Sequence, residues 1–196
     1  MVEADVWLHR GRLELWHSKT LRLLPLRCDE WTLESGRRPC LTLPALLRAA
    51  ASETTLSLDL NGHEARLPTA VIEAMRRLVP SRPYAVCSPP RDLLEPSIDE
   101  PKVRVIPSIG SKSMLRDVRA RLRDITNPAV SMDIRLLTRQ HTAYLRKCAA
   151  LVVGWTINDS IEAQQALGWG VNGITSDNHD LLHGLLATRS AATAAA

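Results

Sequence analysis

Polar and apolar residues alternate along this chain with two different periods, and the switches between them mark out its elements. Strand-like runs, alternating or short and β-rich, cover 2–8, 13–17, 55–60, 84–88, 103–106, 129–132, 150–155 and 173–175. Between most of them the period lengthens to that of a helix. Val71, Ile72, Met75 and Leu78 share a helical face, as do Met114, Leu115, Val118, Leu122 and Ile125. Segment 160–167 follows an Asn158-Asp159 cap and stops at Gly168, so both of its ends are marked. Strands alternating with helices predict an α/β chain whose parallel strands are joined by crossover helices. The Pro-rich stretch 80–101 reads as loop and edge material around one short strand.

At 196 residues the chain falls in the one-domain range. A single domain is expected over 1–188, followed by an Ala-rich tail, 189–196, that frays. Apolar residues make up 45% and charged residues 23%, which is ordinary globular usage. No apolar run is long enough to span a bilayer, and the start has no basic-then-apolar leader. A cytoplasmic protein is expected. The net charge of +4 and pI near 9.1 raise nucleic-acid binding as an option. The arginines are scattered, however, and the densest group, Arg116, Arg119, Arg121 and Arg123, is interleaved with Asp117 and Asp124 as on a solvated helix face. No nucleic-acid partner is expected. Cys28, Cys40, Cys87 and Cys148 have neither zinc-ligand spacing nor the context of a disulfide framework. Cys87 and Cys148 adjoin apolar residues and read as small core fillers.

The chemistry concentrates near the start. In a strand, residues two apart point the same way, so Glu3 and Asp5 project together while Ala4 and Val6 face the other side. Adjacent carboxylates repel unless a cation or a shared proton holds them, and hard divalent ions such as Mg²⁺ and Ca²⁺ prefer carboxylate oxygen. A turn containing Gly11 and a second short strand then deliver His17, which titrates near neutral pH and can move protons beside a metal.

These residues resemble the glycerophosphodiester phosphodiesterases. Glu3-x-Asp5-Val6, the Gly11 turn, an apolar pair and His17 with Thr20-Leu21 after it look like that family's Glu-x-Asp region. Thr55-Leu56-Ser57-Leu58-Asp59-Leu60 looks like its third strand, which normally carries Glu-x-Lys. Val152-Val153-Gly154-Trp155-Thr156-Ile157-Asn158-Asp159 is similar to its Trp-Thr-Val-Asn signature, and Gly170-Val171-Asn172-Gly173-Ile174-Thr175-Ser176-Asp177 to its closing Gly-Val-Asp-Gly-Ile-x-Thr-Asp. The segments follow the family's order over nearly the whole chain.

The resemblance implies a (β/α)8 TIM-type barrel whose first βα unit, with its His-Arg-Gly strand and Pro-Glu-Asn-Thr-type segment, is absent here. With residues 13–17 set aside as a side hairpin, seven strands remain where such a barrel has eight. The strand of Glu3 and Asp5 and the last strand near Ile174 would each show an open edge. Three outcomes fit: a gene that starts upstream, an open barrel that closes on itself or on a second copy, or an unstable remnant. His9-Arg10-Gly11 lies after the Glu-x-Asp strand and reads as a turn.

The resemblance makes Glu3, Asp5 and Asp59 ligands of a divalent cation, Mg²⁺ or Ca²⁺, and His17 a catalytic acid or base. Ser18 stands where the family has an Asp. Asp59 is one methylene shorter than the family's Glu, and Asn61 replaces the lysine, removing a cation that would offset phosphate charge. Asp59-Leu60-Asn61-Gly62 also reads as a polar strand end entering a Gly turn. Trp155 and Asn61 become substrate-binding candidates, with a core tryptophan as the other reading of Trp155, and Thr175 and Asp177 shape the last loop. The implied reaction is metal-dependent hydrolysis of glycerophosphodiesters to an alcohol and glycerol 3-phosphate, impaired in the chain as it stands. The alternative is a non-catalytic truncated barrel: a phosphate- or metal-binding relic, or a subunit completed by another chain.

Overall fold

The computed structural model describes residues 1–17, 19–20, 26–29, 32–35 and 40–194, with side chains described for 1–17 and 40–188. Ser18 lies outside the described residues. The elements run β1 (Val2–His9), β2 (Arg12–Leu15), β3 (Lys19–Thr20), β4 (Leu26–Asp29), β5 (Thr32–Ser35), β6 (Leu41–Thr42), α1 (Leu43–Ala49), β7 (Leu56–Leu60), α2 (Leu67–Leu78), β8 (Tyr84–Ser88) and β9 (Val103–Ile109). They continue with α3 (Lys112–Arg116), α4 (Val118–Leu122), β10 (Ala129–Asp133), α5 (Arg139–Arg146), β11 (Leu151–Trp155), α6 (Ser160–Gly168), β12 (Gly173–Ile174) and α7 (His179–Ala194). The last helix thus continues into the stretch expected to fray. The chain divides into two compact units, Met1–Arg104 and Val105–Ala196. Its class is α/β with predominantly parallel pairing, as the alternation predicts.

In the first unit the strand order is β8-β7-β1-β2-β6. β1, β7 and β8 are parallel neighbours, whereas β2 folds back antiparallel on the last four residues of β1 and so covers half of the edge expected to be open. His9 pairs with Arg12 across a two-residue turn in which Arg10 and Gly11 both have positive φ (48° and 78°). That is the type I′ geometry whose twist suits a hairpin. His9-Arg10-Gly11 is therefore a hairpin turn.

β1 and β7 each have one apolar face and one that carries polar groups. Val6, Leu56, Leu58, Leu60 and Val86 are fully buried or nearly so. Glu3 and Asp5, Ser57 and Asp59, and Ala85 and Cys87 occupy the alternate positions, hence the opposite face. Helix α2 starts with Pro68 in its first turn and buries Leu67 with Val71, Ile72 and Met75 of the expected stripe, whereas Leu78, in its last turn, is exposed. The short strand expected within the Pro-rich stretch is present: β8 is buried at all five positions and pairs along β7. A strand covered on both faces needs an unbroken apolar run, and Tyr84-Ala85-Val86-Cys87 is one. The prolines only flank it.

A separate three-stranded antiparallel sheet, β3-β4-β5, was not anticipated; its strands are short and carry no clear alternation.

The second unit is a parallel run β9-β10-β11-β12. Its core joins Ile109, Val130, Met132 and Val152 to helix residues such as Val118, Leu145 and Ala163. The stripe from Met114 to Leu122 is carried by two short helices, because Asp117 departs from helical backbone (φ −91°, ψ 7°). Helix α6 begins as expected: Asp159 accepts from the N–H groups of Ile161 (2.8 Å) and Glu162 (3.0 Å).

Gly154 of β11 shows what this core demands. A β-carbon there would approach the terminal methyls of Ile157 and Leu137 to 2.9 Å. Those methyls are side-chain tips, so alanine is accommodated by a small shift, but a branched side chain is not. Gly154→Val is expected to lower unfolding free energy by about 1–3 kcal/mol, read from urea midpoints. An unchanged midpoint would show that this core has room to spare.

Candidate metal centre

The strand register assembles the site. Asp5 lies beside Asp59 on the parallel β1–β7 ladder, and Asp59 lies beside Cys87 on the β7–β8 ladder. The three side chains share one face, and Glu3 occupies that face one pleat earlier on β1. Donor atoms of Glu3, Asp59 and Cys87 all lie within 4.8 Å of one another, a spacing from which an ion could be held. Glu3 is exposed, Asp59 half-buried and Cys87 buried, so the trio runs from solvent into the sheet.

Hydrogen bonds fix the set. The Cys87 thiol donates to Asp59 Oδ1 at 3.3 Å. Asn61 Nδ2 donates to Asp5 Oδ1 at 2.7 Å and to the Asp59 carbonyl at 3.3 Å. Asn61 therefore holds Asp5 in place, a task its amide can perform but its neutral charge limits. Burial first, then the Asp5 carboxylate, pushes the Asp59 pKa up to about 6, against the pull of hydrogen bonds from Cys87 and Asn61 and of His17. Burial, with Asp59 and Glu3 adding to it, holds the Cys87 thiol well above its usual range. Negative charge is thus concentrated where solvent compensates it poorly.

His17 is exposed and follows Trp16, close enough for its charge to act on Asp59. The indole of Trp7, on the Glu3–Asp5 face of β1, donates to the Trp16 carbonyl at 2.9 Å. The two rings stack at 5.8 Å and 12°, with His9 edge-on to Trp16. These contacts anchor the segment that ends in His17.

The structure thus brings Glu3 and Asp59 to ligand spacing with Cys87, places Asp5 beside Asp59 on the ladder where Asn61 holds it, and leaves His17 within electrostatic reach. Trp155 lies in the second unit, where it closes β11, half-buried, with its indole N–H buried and unpartnered. There the two signature segments meet: the Asn158 side-chain oxygen accepts from Ser176 Oγ and from the Asp177 N–H, both at 2.9 Å.

Cys87 is the residue that sequence reasoning missed. Its sequence context is that of a core filler, and it is buried, but it faces a carboxylate. Its neighbours in sequence are apolar, and only the register of β7 against β8 reveals Asp59 beside it.

This geometry sits on a known fold. A glycerophosphodiester phosphodiesterase from Parabacteroides distasonis superposes with a TM-score of 0.71 at 20% identity, over 96% of this chain and 84% of that one. A phosphodiesterase from Oleispira antarctica, solved with the product sn-glycerol-3-phosphate, gives 0.71 at 16% identity, over 90% and 80%. A Silicibacter pomeroyi protein provisionally described as a glycerophosphoryl diester phosphodiesterase gives 0.73 at 17%, over 96% and 83%. No protein-family model and no curated protein sequence matches the chain. The fold is accordingly the TIM-type α/β fold of these phosphodiesterases, as the motifs imply. Among the described residues, no helix is long and apolar enough to cross a membrane.

The raised Asp59 pKa has a consequence for stability. Between its ordinary value of 3.8 and about 6, the folded chain keeps a proton that the unfolded chain has lost. Stability therefore falls as pH rises through that window and levels off above it. Asp59→Asn removes the penalty. In EDTA at about pH 7.5 the variant is expected to exceed the parent by roughly 1–3 kcal/mol, with little difference near pH 4. Urea unfolding at both pH values reads this, and a variant less stable than the parent at the higher pH contradicts it.

Proposed function

We propose that the chain hydrolyses glycerophosphodiesters to an alcohol and glycerol 3-phosphate at a divalent cation held by Glu3, Asp5 and Asp59. The observation that carries this is the convergence of acidic side chains on one strand face, in a fold shared with enzymes of that activity. The donor set fits a cation. Carboxylate oxygens suit Mg²⁺ or Ca²⁺, and repulsion among the acids gives a positive ion differential affinity for the deprotonated site. When bound, the cation supplies Lewis-acid polarisation of a phosphate oxygen and a template for the diester.

The chain's own residues do the rest. Glu3 and Asp59 bind, while Asn61 orients Asp5 and is placed to donate to a phosphate or hydroxyl oxygen. His17, exposed and attached to the Trp7–Trp16 stack, exchanges a proton with the substrate oxygen. Asn61 brings no positive charge to the phosphate, so turnover is expected to be slow. Cys87 and Cys148 are free thiols, which suits the reducing cytoplasm included in this proposal.

A second reading, binding without turnover, is favoured by one observation: the Asn61 amide is committed to Asp5 at 2.7 Å, where a cation would serve catalysis.

Hydrolysis of glycerophosphocholine separates the two. Glycerol 3-phosphate release is expected, lost in EDTA and restored by excess divalent ion, with His17→Ala lowering kcat by about 10²–10⁴-fold. Asn61→Lys is expected to raise kcat by about 10–10²-fold. Release that EDTA leaves untouched contradicts the metal role, and ion binding without release even from Asn61→Lys establishes the binding reading.

A further inference from the structure

We infer that Cys87 is a sulfur ligand of this cation site, so that the site favours a borderline ion such as Zn²⁺ or Co²⁺ over Mg²⁺ and Ca²⁺. The inference rests on the cation-site reading above and adds a donor that composition and motif do not reveal.

Placement comes first. Cys87 pairs with Asp59 in the β7–β8 register and faces the acids, not the apolar face formed by Leu58, Leu60 and Val86. Distance comes second. Cys87 Sγ lies 3.3 Å from Asp59 Oδ1, and a Glu3 oxygen completes a trio within 4.8 Å. Zinc bonds of about 2.3 Å to sulfur and 2.0 Å to oxygen at a tetrahedral angle place S and O roughly 3.5 Å apart. The sulfur and oxygen already stand near that separation, so binding asks little movement of the buried side chains. Donor chemistry comes third. Mg²⁺ and Ca²⁺ gain nothing from sulfur, whereas thiolate with carboxylate suits zinc and its neighbours.

The step balances simply. The S–H bond breaks, sulfur keeps the electron pair and bonds to the ion, and one proton per site passes to solvent. No oxidant or reductant enters. The Cys87–Asp59 hydrogen bond is lost, and both atoms become ligands of one centre.

Cobalt tests this without reference to turnover. Chelator-stripped protein is titrated with Co²⁺ while near-ultraviolet absorption is recorded, since a cobalt–thiolate bond gives a charge-transfer band that carboxylates do not. A band saturating at one ion per chain is expected, bleached by Zn²⁺ and resistant to a large excess of Mg²⁺. It should survive replacement of Cys28, Cys40 and Cys148 by Ser together and vanish in Cys87→Ser, with Zn²⁺ affinity falling at least about tenfold and Ca²⁺ affinity little changed. The parent spectrum keeps the test decisive if Cys87→Ser does not fold. Co²⁺ bound without the band, or a band lost with the other cysteines, overturns the role of Cys87 and leaves the carboxylate site standing. Failure of Co²⁺, Zn²⁺, Mg²⁺ and Ca²⁺ alike to bind overturns the site itself.

Discussion

Burial of the Asp59 carboxylate, with Asp5 beside it, is the constraint around which the first unit is arranged. Two parallel strands in register place these carboxylates side by side, and a third adds a thiol. Burial deprives them of the water that would screen the charge, and the result is a proton retained on Asp59 to about pH 6. A chain selected for stability alone would put asparagine or serine at one of these positions.

The rest of the unit keeps that unfavourable arrangement from relaxing. The far side of β1, β7 and β8 is closed by Val6, Leu58, Leu60 and Val86, so a strand cannot slip by one residue without turning its apolar side chains into the acidic face. The antiparallel return of β2 and the Trp7–Trp16 stack fix the path of the segment that ends in His17. Asn61 ties the end of β7 to Asp5. Rigidity on one face permits electrostatic tension on the other.

Local patterns made much of this visible. Alternation along residues 2–8 placed Glu3 and Asp5 on one face, and the ends of α6 could be read from Asp159 and Gly168, because both depend on residues close in sequence. Motif order points to the phosphodiesterase fold, although identities with the three structural neighbours described above are only 16–20%. Non-local placement stayed hidden. That Asp59 stands beside Asp5, and Cys87 beside Asp59, follows from pairings between distant segments that no window of sequence contains. β8 is legible inside the Pro-rich stretch because Tyr84-Ala85-Val86-Cys87 is an apolar run, but its partner β7 is not. Asp117 split one apolar stripe into two helices, a backbone choice that periodicity does not register.

The most direct test of the central claim is anomalous diffraction from a crystal soaked in Mn²⁺. The account expects a peak bonded to Glu3 and Asp59, with Asp5 at the same centre, at separations of about 2.0–2.6 Å. A strong peak elsewhere on the chain, with the three carboxylates left unligated, would contradict it.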